Sequence, residues 1–301
     1  MSFGKDLSYE FQKLTQNGEF QELELITKLQ DAFINLANGK YHYAIDIIHG
    51  SRSFVDFQYN APWLQNVSSG ETFARELSDM MFLVFSKKHK EHHIRLMYMQ
   101  NKKGDSSTKF KADLLQLCLL KNRCVISSPN LPACTFGDSR ILTDALLPSV
   151  GSYGVFYNIN DVTEMAYYPA SNVSPVTGFA ASSNRKAYFD RTHFGAFETK
   201  GLYTENQGEE NLKAFSDALI RMEIGTPITQ KHPAYRAIVL FLRENSASFL
   251  QPGFEEDYDY PRDYDSLRFG AMPFMCIINA EAIMDNDSAI RLKKDNEYVE
   301  M

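Results

Sequence analysis

The chain has 301 residues, a formal net charge of −7, 44% hydrophobic and 23% charged residues, and a mean hydropathy of −0.33. That composition excludes a disordered or fibrous chain, and the acidity excludes coating nucleic acid by bulk attraction. No apolar run reaches the roughly 18 to 20 residues of a membrane span and the polar start MSFGKDLSYE does not read as a signal peptide, so a cytoplasmic protein with no membrane partner is expected.

In chain order, Ile26, Leu29, Phe33 and Leu36 recur at helical spacing and predict an amphipathic helix over 19–38, stopped by Asn38-Gly39. The following segment with Ile45, Ile47 and Ile48 reads as helix or strand. Ser68 and Glu71 have the spacing of a capping box, which predicts a short helix to about Glu76. The apolar runs Asp79–Phe85 and Ile94–Gln100, joined by SKKHKEHH, predict a hairpin with a buried second strand. After the polar stretch NKKGDSST, residues 109–122 read as a helix, with Phe110, Leu114, Leu117 and Cys118 on its apolar face.

From about residue 149 a second block is expected. Tyr153–Asn158 and Val162–Tyr168 read as a hairpin, and 169–209 as loop with short strands. Leu212, Phe215, Leu219 and Met222 mark a helix ending at Gly225, and Pro233 opens another to about Asn245. The acidic, tyrosine-rich stretch 255–265 reads as an exposed loop and 272–279 as a late strand. Cys118, Cys124, Cys134 and Cys276 lack metal-site or disulfide-scaffold spacing and read as buried or free thiols. His89, His92 and His93 read as a solvated turn, and His49 beside Gly50 as structural.

Charge is unevenly spread. Residues 80–123 hold ten Lys/Arg against three acids, so the other 257 residues carry −14. A basic segment in an acidic chain reads either as a solvated charged hairpin or as a local anion site, for which Lys103, Lys109, Lys111 and Arg123 are the candidate nucleic-acid contacts. Within this segment a period of two places Gln100 and Lys102 on one face of a strand and Asn101 on the other. Antiparallel pairing of the two runs brings Asp79 beside Gln100. A carboxylate, an amide oxygen and an ammonium then converge, which is a set suited to phosphodiester hydrolysis. Asp79, the Gln100 side-chain oxygen and the Asn101 carbonyl are the candidate ligands of Mg²⁺ or Mn²⁺, and Lys102 is the candidate partner of the charge that develops on the phosphate.

At these residues the chain resembles the restriction-endonuclease-like superfamily, the PD-(D/E)xK nucleases, in the variant with Gln at the middle acid: Asp79 before a hydrophobic strand, Gln100-Asn101-Lys102, then a helix bearing Gln116. The resemblance spans roughly residues 60–125. It implies an α/β fold in which a mixed central sheet flanked by helices forms the core over 1–148 and 149–301 is an α+β extension that packs on the core or meets a partner. It further implies a Mg²⁺- or Mn²⁺-dependent nuclease acting on DNA, suited to a bacterial restriction or anti-phage system, with a homodimer or a partner protein as its assembly. For the earlier helical acid of the family the candidates are Glu76 and Glu71, and Gln116 matches a helical Gln that orients the site. A degenerate module that binds nucleic acid or a protein without cleavage, and an interaction domain with a chance match, stand as the alternatives.

Overall fold

The structure is a computed structural model, and it describes residues 2–42, 44–49, 54–58, 71–86, 93–106, 109–127, 133–175, 186–190, 211–246 and 273–285. Its helices are α1 (Phe3–Thr15), α2 (Glu22–Asn38), α3 (Leu114–Asn122), α4 (Leu212–Ile220) and α5 (Tyr235–Asn245). Its strands are β1 (Ile45–Ile48), β2 (Phe54–Gln58), β3 (Thr72–Glu76), β4 (Met80–Ser86), β5 (His93–Lys103), β6 (Lys109–Asp113), β7 (Ile126–Ser127), β8 (Gly151–Ile159), β9 (Val162–Pro169), β10 (Ser174–Pro175), β11 (Lys186–Asp190), β12 (Thr226–Pro227) and β13 (Phe274–Asn279).

The fold is α/β, built on a mixed seven-stranded sheet in the order β1-β13-β4-β5-β8-β9, with β12 also pairing β5. β13 runs parallel to β4, and β8 parallel to β5. The β4–β5 hairpin is antiparallel, with Met80 opposite Met99. Every residue of β4 is buried because both sheet faces are covered, which is why this strand reads as a continuous apolar run instead of an alternating one. Met81, Leu83 and Phe85 face one core with Leu96, Tyr98, α3 and α5. Met80, Phe82 and Val84 face the other with Met97, Met99, α1, α2 and α4. Two three-stranded sheets, β10-β11-β6 and β3-β2-β7, complete the described structure.

Strands from both sides of residue 149 interleave in the central sheet. β8 lies against β5, and β13, expected only as a late strand, sits centrally between β1 and β4. The ambiguous segment at 45–48 is the edge strand β1. The hairpin expected at 153–168 is β8–β9. α4 ends at Ile220, earlier than expected, and the chain turns through Gly225, whose φ of +79° favours glycine.

Two expectations are corrected. Residues 72–76 form a strand, not the last turns of a helix: Thr72–Glu76 pairs antiparallel with β2, and Phe73 turns into the core. Ser68, the other half of the supposed capping box, lies outside the described residues. Residues 109–122 are not one helix. Lys109–Asp113 is a strand paired with β11, and α3 begins only after Asp113, whose Oδ1 accepts from Leu115 N at 2.8 Å and Gln116 N at 3.1 Å. Asp113 is therefore the N-cap. α3 is buried on every side from Leu114 to Leu120, so it has no polar face.

α1 carries Phe3, Leu7 and Phe11 at helical spacing and packs against α4 and β9. All four cysteines are buried free thiols. Among the described residues no helix is long and apolar enough to cross a membrane. The stretch 255–265, His89 and His92 lie outside the described residues. His49 packs edge-on against Phe274, with 5.7 Å between ring centroids.

Candidate functional site

Asp79 closes the end of the β4–β5 hairpin. Its backbone N donates to Met99 O at 3.1 Å, and its Oδ2 accepts from Asn101 N at 2.6 Å. The carboxylate is thus pinned by the strand that carries the QxK triplet. Gln100, 1% exposed, sits beside it. In the orientation that satisfies its neighbours, the Gln100 amide donates to Asp79 Oδ2 at 3.0 Å and accepts from Gln116 Nε2 at 2.8 Å and Ser78 N at 3.3 Å. Gln116 Nε2 also donates to Glu76 O at 3.2 Å. A chain of amides therefore links Asp79 to α3 and β3. α3 can bring Gln116 here because its Asp113 cap starts the helix at the edge of the site, where Arg75 Nε meets Asp113 Oδ1 at 3.1 Å.

Lys102 extends on the same face of β5, its side chain 12% exposed, with Nζ 3.1 Å from Glu22 Oε1. Its ammonium also donates to Asn101 O at 2.7 Å. The other oxygen of Glu22 accepts from Lys103 N at 3.1 Å. One carboxylate at the start of α2 thus clamps the QxK strand at two points. The turn presenting Glu22 is fixed by Gln21 N donating to Glu24 Oε2 at 2.7 Å.

These side chains surround a pocket of about 600 Å³ lined by Glu22, Glu76, Asp79, Gln100, Lys102 and Gln116, with Ile26, Pro273 and Phe274 among its apolar members. Asp79, Gln100 and Lys102, whose convergence the sequence led one to expect, line this pocket together with Gln116 and with Glu76, which stands on a strand and not on the expected helix. Asn101 takes part only through its backbone, for its side chain faces the opposite core. Lys103, Lys109, Lys111 and Arg123 do not line the pocket. Lys103 Nζ donates to Phe20 O at 2.8 Å, Lys109 and Lys111 lie on β6, and Arg123 donates to Ala145 O at 2.7 Å past the far end of α3. Glu71, the other candidate acid, precedes β3 and does not line the pocket.

Glu22 is the residue that sequence reasoning missed. Its position on the first turn of a helix that packs on the sheet was legible, but its pairing with Lys102, 80 positions away, was not. Behind Gln100, across the β5–β8 ladder, stands Tyr153. It is fully buried, and its hydroxyl has no partner among the described residues. Burial first, then the charges of Asp113, Cys118 and Asp79, push this phenol well above its ordinary range, so it stays neutral.

Among the described residues no group of three or more His, Cys, Asp or Glu side chains forms a metal cluster. The donors present are those of a hard cation held by few protein ligands: one carboxylate, one amide oxygen, and nearby Glu22 and Glu76. Turning the Gln100 amide over sets its oxygen 3.0 Å from Asp79 Oδ2. Adjacent oxygens around a six-coordinate Mg²⁺ with bonds of about 2.1 Å are about 3.0 Å apart, so the pair fits in that turned orientation. No family model matches the chain, and neither a curated protein nor a solved structure matches it.

Proposed function

We propose that the chain is a Mg²⁺- or Mn²⁺-dependent nuclease of restriction-endonuclease-like architecture that hydrolyses phosphodiester bonds in DNA, in the setting of a bacterial defence system. The observation that carries this reading is the convergence of the Asp79 carboxylate, the Gln100 amide and the Lys102 ammonium on one pocket at the end of the β4–β5 hairpin. A bound divalent cation supplies a water of lowered pKa and neutralises phosphate charge. Asp79 and Gln100 hold it. Lys102 presents its ammonium to the charge that builds on the phosphate. Glu22 positions that ammonium by holding it with a charged hydrogen bond, and the Gln100 amide, which lies within hydrogen-bond reach of Gln116, turns its oxygen from Gln116 toward Asp79 to take the cation.

Purified Asp79→Ala and Lys102→Ala proteins, with melting curves like the wild type, are expected to lose metal-dependent cleavage of DNA. Undiminished cleavage by Lys102→Ala refutes the assignment. The second reading is a module that binds DNA without cutting it, since among the described residues no three His, Cys, Asp or Glu side chains are grouped so as to hold a metal ion. A wild type that binds with a steep salt dependence but cuts with neither Mg²⁺ nor Mn²⁺ establishes that reading instead.

A further inference from the structure

The Gln100 amide has two settings, and the residues around it provide for both. In the setting that satisfies its neighbours, its nitrogen donates to Asp79 Oδ2 at 3.0 Å, and its oxygen accepts from Gln116 Nε2 at 2.8 Å and Ser78 N at 3.3 Å. A charge-assisted hydrogen bond thus closes Asp79 on the side where Gln100 lies. A cation held by Asp79 and the Gln100 oxygen needs the opposite setting, because the NH₂ end of an amide only donates and its oxygen is the ligand a hard cation takes. The Gln116 nitrogen does not choose between the two. It lies 2.8 Å from one end of the amide and 3.0 Å from the other, within reach of the oxygen either way.

Ser78 does discriminate. Turning the amide puts its NH₂ group where the oxygen was, 2.8 Å from Gln116 Nε2 and 3.3 Å from Ser78 N, and both of these are donors. Gln100 is too buried for bulk water to meet that group, and a buried donor without an acceptor is costly. The Ser78 hydroxyl is the acceptor at hand. It belongs to the residue whose backbone N already faces that end of the amide, the residue is 0% exposed, and its Oγ has no partner among the described residues. In every staggered χ1 setting a serine Oγ stays within about 4 Å of its own backbone N, so rotation about that one bond carries it toward the same end of the amide. A sealed hydroxyl with nothing to bond in the closed setting is accounted for if its partner arrives in the open one.

We propose, resting on the metal-dependent reading, that Gln100 and Ser78 form a latch: without a divalent cation the amide closes Asp79, and on loading it turns over, giving its oxygen to the cation and its N–H to the Ser78 hydroxyl. Ser78 is then a positioning residue, which sets cation affinity through Gln100 without touching the cation.

The test is calorimetric titration of the full chain with Mn²⁺, on the wild type, Ser78→Ala, Gln100→Glu and the double variant, each also melted in the presence of a chelator. Ser78→Ala is expected to weaken Mn²⁺ binding about tenfold, by leaving the turned amide a donor without an acceptor, while its melting in chelator stays as in the wild type or rises. Gln100→Glu has an oxygen at both ends of the group and needs no turn, so in that background Ser78→Ala should leave Mn²⁺ binding unchanged. Equal weakening in the two backgrounds, or none in the wild-type background, overturns the latch and leaves the metal-dependent reading standing. Mn²⁺ binding by neither the wild type nor Gln100→Glu overturns that reading, and the latch with it.

Discussion

Gln100 and Asn101 are neighbours in sequence and are 1% and 0% exposed, yet the structure treats their amides in opposite ways. On the pocket face, Gln100 is held between Asp79, Ser78 and Gln116 in a network that reaches the charged mouth of the site. On the other face, the Asn101 side chain has no partner for either Nδ2 or Oδ1 among the described residues, and lies close to Gly154 and the sulfurs of Met99 and Met165. A sealed amide without partners is costly, whereas a connected one gains rigidity and a fixed orientation. Polar identity is thus accounted for by contacts on the pocket face, and on the sealed face it is not: Asn101 meets Asp79 and the Lys102 ammonium through its backbone N and O alone.

The largest effect is expected where that connected network meets charge. Glu22→Gln keeps the shape of the clamp on Lys102 but removes its charge, and should lower kcat by about ten- to a hundredfold with a smaller change in KM. Steady-state kinetics on a cleavable DNA check this, and an unchanged kcat would reduce Glu22 to a structural tie. Next comes Gly154→Ala on the sealed face. Its new Cβ meets Asn101 Oδ1 at 2.5 Å and the Met165 sulfur at 3.0 Å, which should cost about 2 kcal/mol by denaturant unfolding. Because Asn101 is the closest obstruction, Asn101→Ala combined with Gly154→Ala should recover part of that loss. Additive losses would show that the obstruction lies elsewhere.

The same contrast explains what the sequence made legible. The β4–β5 hairpin was readable because both runs are apolar and of strand length, and period-two geometry then put Gln100 and Lys102 on one side. The helix proposed over 109–122 was half wrong because Lys109-Phe110-Lys111-Ala112 satisfies a strand as well as a helix, and the choice is made by the distant partner β11. The cap residue Asp113 was the local signal for the true helix start, since its side chain accepts from two backbone N–H groups of the first turn. The strand at 72–76 was misread for a similar reason: its pairing with β2 is not a local property. Glu22 and the central place of β13 depend on contacts across 80 and nearly 200 positions, and no periodicity reports such contacts.

Asn101→Val tests the sealed face more gently. It removes two polar atoms without partners among the described residues, keeps both backbone bonds, and places a β-branched residue in a central strand. Stability should rise by about 1 kcal/mol. Lower stability would mean that the amide has a partner, such as a buried water, which the valine cannot keep.

His232 extends the comparison to a group that can ionise, and gives the smallest effect. It is 8% exposed, and its Nε2 lacks a partner among the described residues. Its Nδ1 accepts from Ala234 N at 3.1 Å, which requires the proton to sit on Nε2. Burial lowers its pKa from the ordinary 6.5, while the charges of Asp138 and Asp144 oppose that shift without cancelling it. Between 6.5 and the lowered value the unfolded chain takes up a proton that the folded chain refuses. Its contribution is therefore complete above 6.5 and is lost as pH falls through the lowered value. Melting temperature followed down through this window should decline less steeply in His232→Gln than in the wild type. Parallel declines would mean that Asp138, whose Oδ2 is buried without a partner among the described residues, already compensates the imidazolium as it forms.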